Sequence, residues 1–370
     1  MKPKLLVLLV LLTTACGQAA QGTAVAPAGS VEGARAKVRA AVQAEFERQR
    51  LVGLAVAVVE DGEIAEHYFG AADREAGVPV DAGTLFRWAS ISKPVTAVAA
   101  VQLVRAGALD LDLDVRDYVP EFPPKPWPIT ARQLLQHRAG IVHYRNGKVV
   151  RTERDYDAAH PFADVVTALD TFKASPLIAE PGAKFSYTTH GYILLGAVVQ
   201  RAGKAAFRRQ VADRVARPLG MTTFRPDDQW EEIAGRAVGY RRVVGLTFRS
   251  SNTDVSWKLP GGGFLSNVGD LARFARGLLG DDLLTDDEKA QMWAPQAAPE
   301  TESGTYPYGL GFGVRVVDGR LRVSHSGSQE KTKTLMQLDP ERGRAVVAMS
   351  NSEWASLREV IAAARRSLLQ

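Results

Sequence analysis

From Val31 to Arg50 apolar residues return at helical spacing among good helix formers such as Ala and Glu, and the pattern predicts a helix there. Two apolar runs follow, Leu54–Val59 and Ile64–Phe69, on either side of Asp61-Gly62. An Asp-Gly between such runs signals a hairpin, because the tight turn that joins twisted strands needs positive φ. Val95, Val98, Val101, Gln102 and Val104 then recur at helical spacing up to Gly107. Pro94 fits a helix only in its first turn, so this helix is predicted to begin beside Ser90.

Between Gly107 and about Ser250 the pattern is helical and rich in loops. The cluster Pro120 to Pro128 must be loop, Thr130 is placed to cap a short helix from Ala131 to His137, and Gly191 to Gln200 is again helical. The last third returns to strands. Gly261-Gly262-Gly263 opens onto Leu265-Ser266, and Asp270 to Leu279 is an amphipathic helix. Tyr308–Val317 and Leu321–His325 are predicted to pair about Asp318-Gly319, with Thr332–Leu338 and Ala345–Ser350 as further strands. Ser352 is placed to cap a final helix reaching Leu368. Strands at both ends with helices between predict an α+β fold whose sheet comes from both termini, about 31–95 and 255–370, with a mostly helical insertion at about 96–250.

The first thirty residues read differently. Lys2 and Lys4 precede an unbroken apolar run from Leu5 to Leu12, then Thr13-Thr14-Ala15-Cys16. That order describes an export signal over residues 1–15, and the run is too short to span a bilayer. A cysteine just after small residues resembles the lipobox of bacterial lipoproteins, with cleavage ahead of Cys16 and a lipid on it, although Thr13 stands where Leu is usual. The alternative is an ordinary secretion signal that happens to contain Cys16. Either reading puts the mature protein outside the cytoplasm, and a single cysteine allows no internal disulfide. Residues 16–30 read as a flexible tether.

Composition narrows the function classes. Charged residues at 24% and hydrophobic residues at 46% describe a globular chain, and the net charge of +5 is not gathered into any Lys/Arg block, which argues against nucleic acid as a partner. There is no His-Glu-x-x-His and no cysteine cluster, so neither metal nor other cofactor is expected. A Gly-x-Ser-x-Gly elbow is missing, and the Gly261–Gly263 run has no following Lys-Ser/Thr to make a phosphate loop. His137 and His143 read as packing or hydrogen-bonding residues.

The candidate chemistry is Ser90-Ile91-Ser92-Lys93. Residues three apart on a helix are surface neighbours, so the lysine nitrogen can reach the serine oxygen, and the helix start adds N–H groups that favour negative charge. A second match, Ser328-Gln329-Glu330-Lys331, precedes an alternating strand pattern and reads as chance. Tyr-x-(Asn/Ser/Thr) also occurs twice, at Tyr144-Arg145-Asn146 and Tyr187-Thr188-Thr189, and spacing alone does not choose between them.

Seven ordered segments carry a resemblance over nearly all of the mature chain: LFRWASISK at Leu85–Lys93, LLQHRAGI at Leu134–Ile141, PGAKFSYTTHGYILLG at Pro181–Gly196, Pro218–Met221, GGGFLSNVGD at Gly261–Asp270, Tyr308–Phe312 and His325-Ser326-Gly327. They resemble the serine beta-lactamase-related family, which holds class C beta-lactamases, D-alanyl-D-alanine peptidases and esterases, and within it the LACTB-like branch. The resemblance implies one domain over residues 31–370, an antiparallel sheet flanked by helices with an inserted helical subdomain. It implies Ser90 as the acylated nucleophile, Lys93 and Tyr187 as its proton-transfer partners, and His325 in a third motif where Lys is usual. It further implies an oxyanion hole from the backbone N–H groups of Ser90 and Ser328, with Thr189, Ser326 and Gly327 against the substrate.

The chemistry of these residue types agrees. A serine hydroxyl is a poor nucleophile until a base takes its proton, and a lysine serves as that base only when desolvation or nearby positive charge lowers its pKa from about 10.4. Two departures matter. Thr189 replaces the commoner Asn, whose amide both donates and accepts, and His325 replaces a fixed charge with a group roughly one-quarter protonated at pH 7. The expectation is an exported serine hydrolase acting on peptide or ester bonds of a small molecule or peptide, with weak beta-lactam turnover and membrane contact only through a lipid on Cys16. The alternative is a catalytically silent penicillin-binding-like or scaffold lipoprotein. No sequence feature sets an oligomeric state.

Overall fold

The computed structural model describes residues 28–152, 162, 164–294 and 307–368; Cys16 and the predicted leader lie outside them. No helix among the described residues is long and apolar enough to cross a membrane.

A seven-stranded antiparallel sheet is built from both ends of the chain. Its strands are β1 (Gly53–Glu60), β2 (Glu63–Asp73), β3 (Val78–Pro79), β4 (Gly313–Val317), β5 (Arg320–Gln329), β6 (Thr332–Asp339) and β7 (Arg344–Ser350), in the order β3-β2-β1-β7-β6-β5-β4. The termini meet where β1 pairs with β7, from Leu54 opposite Ser350 to Val59 opposite Ala345. The Asp-Gly turn closes the first hairpin, with Glu60 opposite Glu63 and both Asp61 and Gly62 at positive φ.

Helices cover both faces, which is why β1 reads as a continuous apolar run instead of an alternation. On one face Leu54, Val56 and Val58 pack with Val38 and Val42 of α1 (Ala28–Gln49) and with Val360 and Ile361 of the C-terminal helix Leu357–Ser367. On the other, Ala55, Ala57 and Val59 join the main core, which contains Leu271, Ala272 and Ala275 of the helix Val268–Leu279. At the centre of that core is α2 (Ser92–Arg105), buried at every residue from Ser92 to Leu103. A helix with no solvated face is held by neighbours all round, so the lysine in its first turn is fixed in place.

Two boundaries differ from the sequence pattern. The strand expected from Tyr308 begins only at Gly313, because the preceding glycines serve a close approach instead of a ladder. A Cβ on Gly309 would lie 2.1 Å from the Met292 carbonyl oxygen, and Gly311 has φ +89°. Ser352 caps no helix, since the last helix starts at Leu357. Its hydroxyl instead accepts a hydrogen bond from the Val52 amide at 2.8 Å and ties the two chain ends together.

Candidate active site

The approach to Ser90 is pinned from both sides. The short strand Phe86–Arg87 pairs with Phe264–Ser266, and the Trp88 indole donates to Ser266 Oγ at 2.7 Å. From β6, the Thr332 hydroxyl donates to the Arg87 carbonyl at 2.9 Å and the Thr334 hydroxyl to the Trp88 carbonyl at 2.8 Å. Arg87 itself is buried against Asp227, Nε to Oδ2 at 2.5 Å. Between these anchors and the helix, Ala89 is forced to φ +47°, a conformation that costs an L-residue about 1–2 kcal/mol. Ser90 therefore sits in a single 3₁₀ turn, Ala89–Ile91, just ahead of α2, and Lys93 lies in the first turn of α2.

Three oxygens surround the Lys93 ammonium nitrogen: Ser90 Oγ at 3.2 Å, Thr189 Oγ1 at 3.2 Å and the Gly261 carbonyl at 2.7 Å. The rings of Tyr187 and Tyr192 lie 4.8 and 5.7 Å away. Full burial, helped by the positive charge of Lys258, holds the Lys93 amine well below its ordinary pKa. The carbonyl must accept a hydrogen bond, so a neutral amine that donates to Gly261 and Thr189 has its lone pair left for the Ser90 hydroxyl. Tyr187 also hydrogen-bonds Ser90, and burial pushes its phenol up, so the phenol keeps its proton.

The segment carrying Tyr187 is held by the histidines read as structural. His137 Nδ1 accepts from the Thr188 amide at 3.1 Å and His143 Nδ1 from the Thr189 amide at 3.2 Å. The Thr188 hydroxyl caps the helix Thr189–Ala202, which starts there. Both Tyr-x-(Asn/Thr) copies converge here. Tyr144 hydrogen-bonds Thr189, while Asn146 donates to Ser186 Oγ at 2.9 Å, next to Tyr187.

His325 joins the site indirectly. Its Nδ1 meets the Ser326 carbonyl at 2.9 Å, which requires the proton there, so Nε2 accepts from the Tyr308 hydroxyl at 2.9 Å. Burial, with the Lys93 charge, lowers its pKa to about 3, so the ring is neutral. Its centroid lies 6.4 Å from that of Tyr187. Ser326 is exposed, whereas Gly327 is buried where a Cβ would come within 2.4 Å of the Trp88 carbonyl oxygen and 2.1 Å of Thr334 Oγ1. This close pass lays the backbone of β5 at Gly327-Ser328 against the turn that carries Ser90.

The second Ser-x-x-Lys is part of the β5–β6 hairpin. Ser328 is opposite Lys333, whose ammonium donates to Ser328 Oγ at 2.5 Å, and Lys331 lies in the turn at φ +73° with its ammonium on Asn252 Oδ1. Neither lysine is fully solvated.

Beside His325 a cavity of about 420 Å³ is walled by Tyr187, Tyr308, His325 and Ser326 on one side and by Arg322 and Arg365 on another. No group of three or more His, Cys, Asp or Glu able to hold a metal occurs among the described residues. Sequence reasoning missed the Gly261 carbonyl, Tyr308 and Lys258. Of these only Lys258 carries a sequence signal, as the lone charge in Val255–Leu265.

A Ser-x-x-Lys turn on a central helix, laid against a sheet made from both termini, defines the class as the penicillin-binding and beta-lactamase-like fold. The chain belongs to the beta-lactamase family, whose model matches residues 38–370. Its relatives include the mitochondrial serine beta-lactamase-like protein LACTB of Homo sapiens, 32% identical over 293 residues, which are 61% of this chain and 53% of the relative. The chain thus spans about half the length of LACTB. Penicillin-binding protein 4* of Bacillus subtilis is 27% identical over 311 residues, 80% of this chain and 68% of the relative. Among solved structures, that of SurE superposes with TM-score 0.77 at 26% identity, covering 92% of this chain and 77% of that one.

Proposed function

We propose that this protein is an exported serine hydrolase that forms an acyl-enzyme at Ser90 and acts on peptide or ester bonds, with weak turnover of beta-lactams. The observation that carries the reading is the placement of Lys93 Nζ between Ser90 Oγ and two fixed acceptors, with no carboxylate to keep it charged. Lys93 takes the Ser90 proton as Oγ bonds to the substrate carbonyl carbon. The carbonyl oxygen, now negative, is held by the backbone N–H groups of Ser90 and Ser328, a contribution on the order of several kcal/mol. When the bond to the leaving group breaks, Tyr187 gives that group its proton and is resupplied from Lys93 through Ser90. Water then enters, and the same groups run the steps in reverse to release the acid.

Poor beta-lactam turnover follows from two side chains. His325 is neutral and committed to Tyr308, so it offers no cation to a penicillin carboxylate, and Thr189 is committed to Lys93 instead of presenting an amide. The mature chain is held at the cell envelope by a lipid on Cys16; loss of membrane association in Cys16→Ser tests this. For the activity, hydrolysis of p-nitrophenyl esters and of nitrocefin is measured on wild type and Ser90→Ala. Ester turnover that needs Ser90, with nitrocefin far slower than for a dedicated beta-lactamase, supports the reading. Comparable nitrocefin turnover overturns the weak-lactam part, and ester turnover unchanged in Ser90→Ala overturns the whole.

A further inference from the structure

One charged side chain in this cleft has no counterpart. Lys258 ends the 3₁₀ turn Ser256–Lys258, is 9% exposed, and makes no hydrogen bond or ion pair among the described residues. Its stem runs along the Gly261–Gly262 segment that supplies the Lys93 acceptor. The place a Cβ on Gly262 would occupy is 3.7 Å from Lys258 Cδ, 3.5 Å from Gln329 Oε1 and 3.8 Å from the carbonyl carbon of Ala89, the carbon bonded to the Ser90 nitrogen. Gln329 follows Ser328, the other oxyanion residue, and its Nε2 is also buried without a hydrogen-bond partner. A second cationic donor and an amide donor thus share one wall beside the nucleophile, with Trp257 against the ammonium at 5.5 Å.

The end of the cleft follows from the strand. Gln329 lies four residues beyond His325 on β5, about 13 Å along it. Tyr187, which serves the leaving group, contacts His325 and Tyr308 at the other end. The leaving group therefore points toward His325 and the acyl portion toward Lys258. Buried donors without acceptors are costly to a folded chain, and a ligand carboxylate satisfies both at once.

We propose that Lys258 and Gln329 form a subsite for a carboxylate on the acyl portion of the substrate, so that the enzyme prefers acyl groups ending in an acid. This rests on the hydrolase reading above. The wall is otherwise flanked by Glu330, Asp254 and Arg87, which act on the Lys258 charge from a distance without pairing with it.

The test compares two p-nitrophenyl esters of equal chain length, the adipate monoester and the hexanoate, which differ by a carboxylate in place of a methyl. Wild type favours the adipate in kcat/KM. Lys258→Met lowers the adipate-to-hexanoate ratio at least about tenfold, and Lys258→Arg restores part of it. Equal losses on both esters overturn the subsite, since a change acting only through Lys93 moves both alike. Titration with adipate, read by tryptophan fluorescence, needs no turnover: binding to wild type and Ser90→Ala, weakened at least about tenfold in Lys258→Met, supports the subsite. Equal affinity in Lys258→Met, or no binding to wild type, overturns it. Failure of the hydrolase reading shows separately, as no turnover of either ester.

Discussion

Lys258→Met should make the protein more stable at neutral pH, and by an amount that depends on pH. The ammonium is nearly buried and unpaired, and burial lowers its pKa to about 8 from an ordinary 10.5. Between those values the unfolded chain holds a proton that the folded chain has released, so stability rises with pH across about pH 8 to 10. Below that window, keeping the charge in the folded state costs about 3 kcal/mol, at about 1.4 kcal/mol per pKa unit. Methionine keeps most of the stem and removes the charge, so it recovers most of that cost. With about 2 cal/mol/K of unfolding entropy per residue, a chain of this size gains about 4 °C in Tm. Thermal melts of wild type and variant at pH 6.5 and pH 10.5 read it directly: a gain of about 4 °C at the lower pH and almost none at the higher. A gain equal at both values, or a loss at both, would mean that the ammonium is paired in the folded protein and would refute the argument for an open carboxylate subsite.

Gly327→Ala places a Cβ into the Trp88 carbonyl and Thr334 Oγ1, so β5 must lift from the nucleophile turn; ester hydrolysis should fall on the order of 100-fold while circular dichroism stays native. Asp227→Asn leaves the buried Arg87 guanidinium without its carboxylate and should cost about 3–5 kcal/mol in urea unfolding. The pH profile of kcat/KM should fall only on the acid side, as Lys93 gains its proton, because a base with a lowered pKa is active above that value. Removing the Lys258 charge lets the Lys93 pKa rise and moves this limb to higher pH. His325, at about 3, should add no inflection between pH 5 and 8, and a profile unchanged in shape for His325→Gln checks it.

The hairpin about Asp61-Gly62 and the helix from Pro94 were legible because each is set by local rules, a positive-φ turn and a proline confined to a first turn. The cap at Thr130 was legible for the same reason, and the structure completes it as a box with Gln133. Where the pattern misled, a distant partner decided. Gly309 answers to the Met292 carbonyl, nearly twenty residues back, and Ser352 to Val52 at the other end of the chain. Likewise, nothing local separates Ser90-x-x-Lys93 from Ser328-x-x-Lys331. The first continues into a helix buried on every side, whereas the second folds back at Lys331. The neutrality of Lys93 and His325 was out of reach, because it comes from burial among residues that the sequence scatters over more than two hundred positions.

The central claim is that Ser90 is a nucleophile activated by a neutral Lys93. Its most direct test is labelling with a fluorophosphonate followed by peptide mass mapping, on wild type, Ser90→Ala and Lys93→Met. The predicted result is one adduct on the peptide holding Ser90, absent in Ser90→Ala and slowed at least about 100-fold in Lys93→Met. An adduct on another residue, equal labelling of Ser90→Ala, or no label on folded wild type would contradict it.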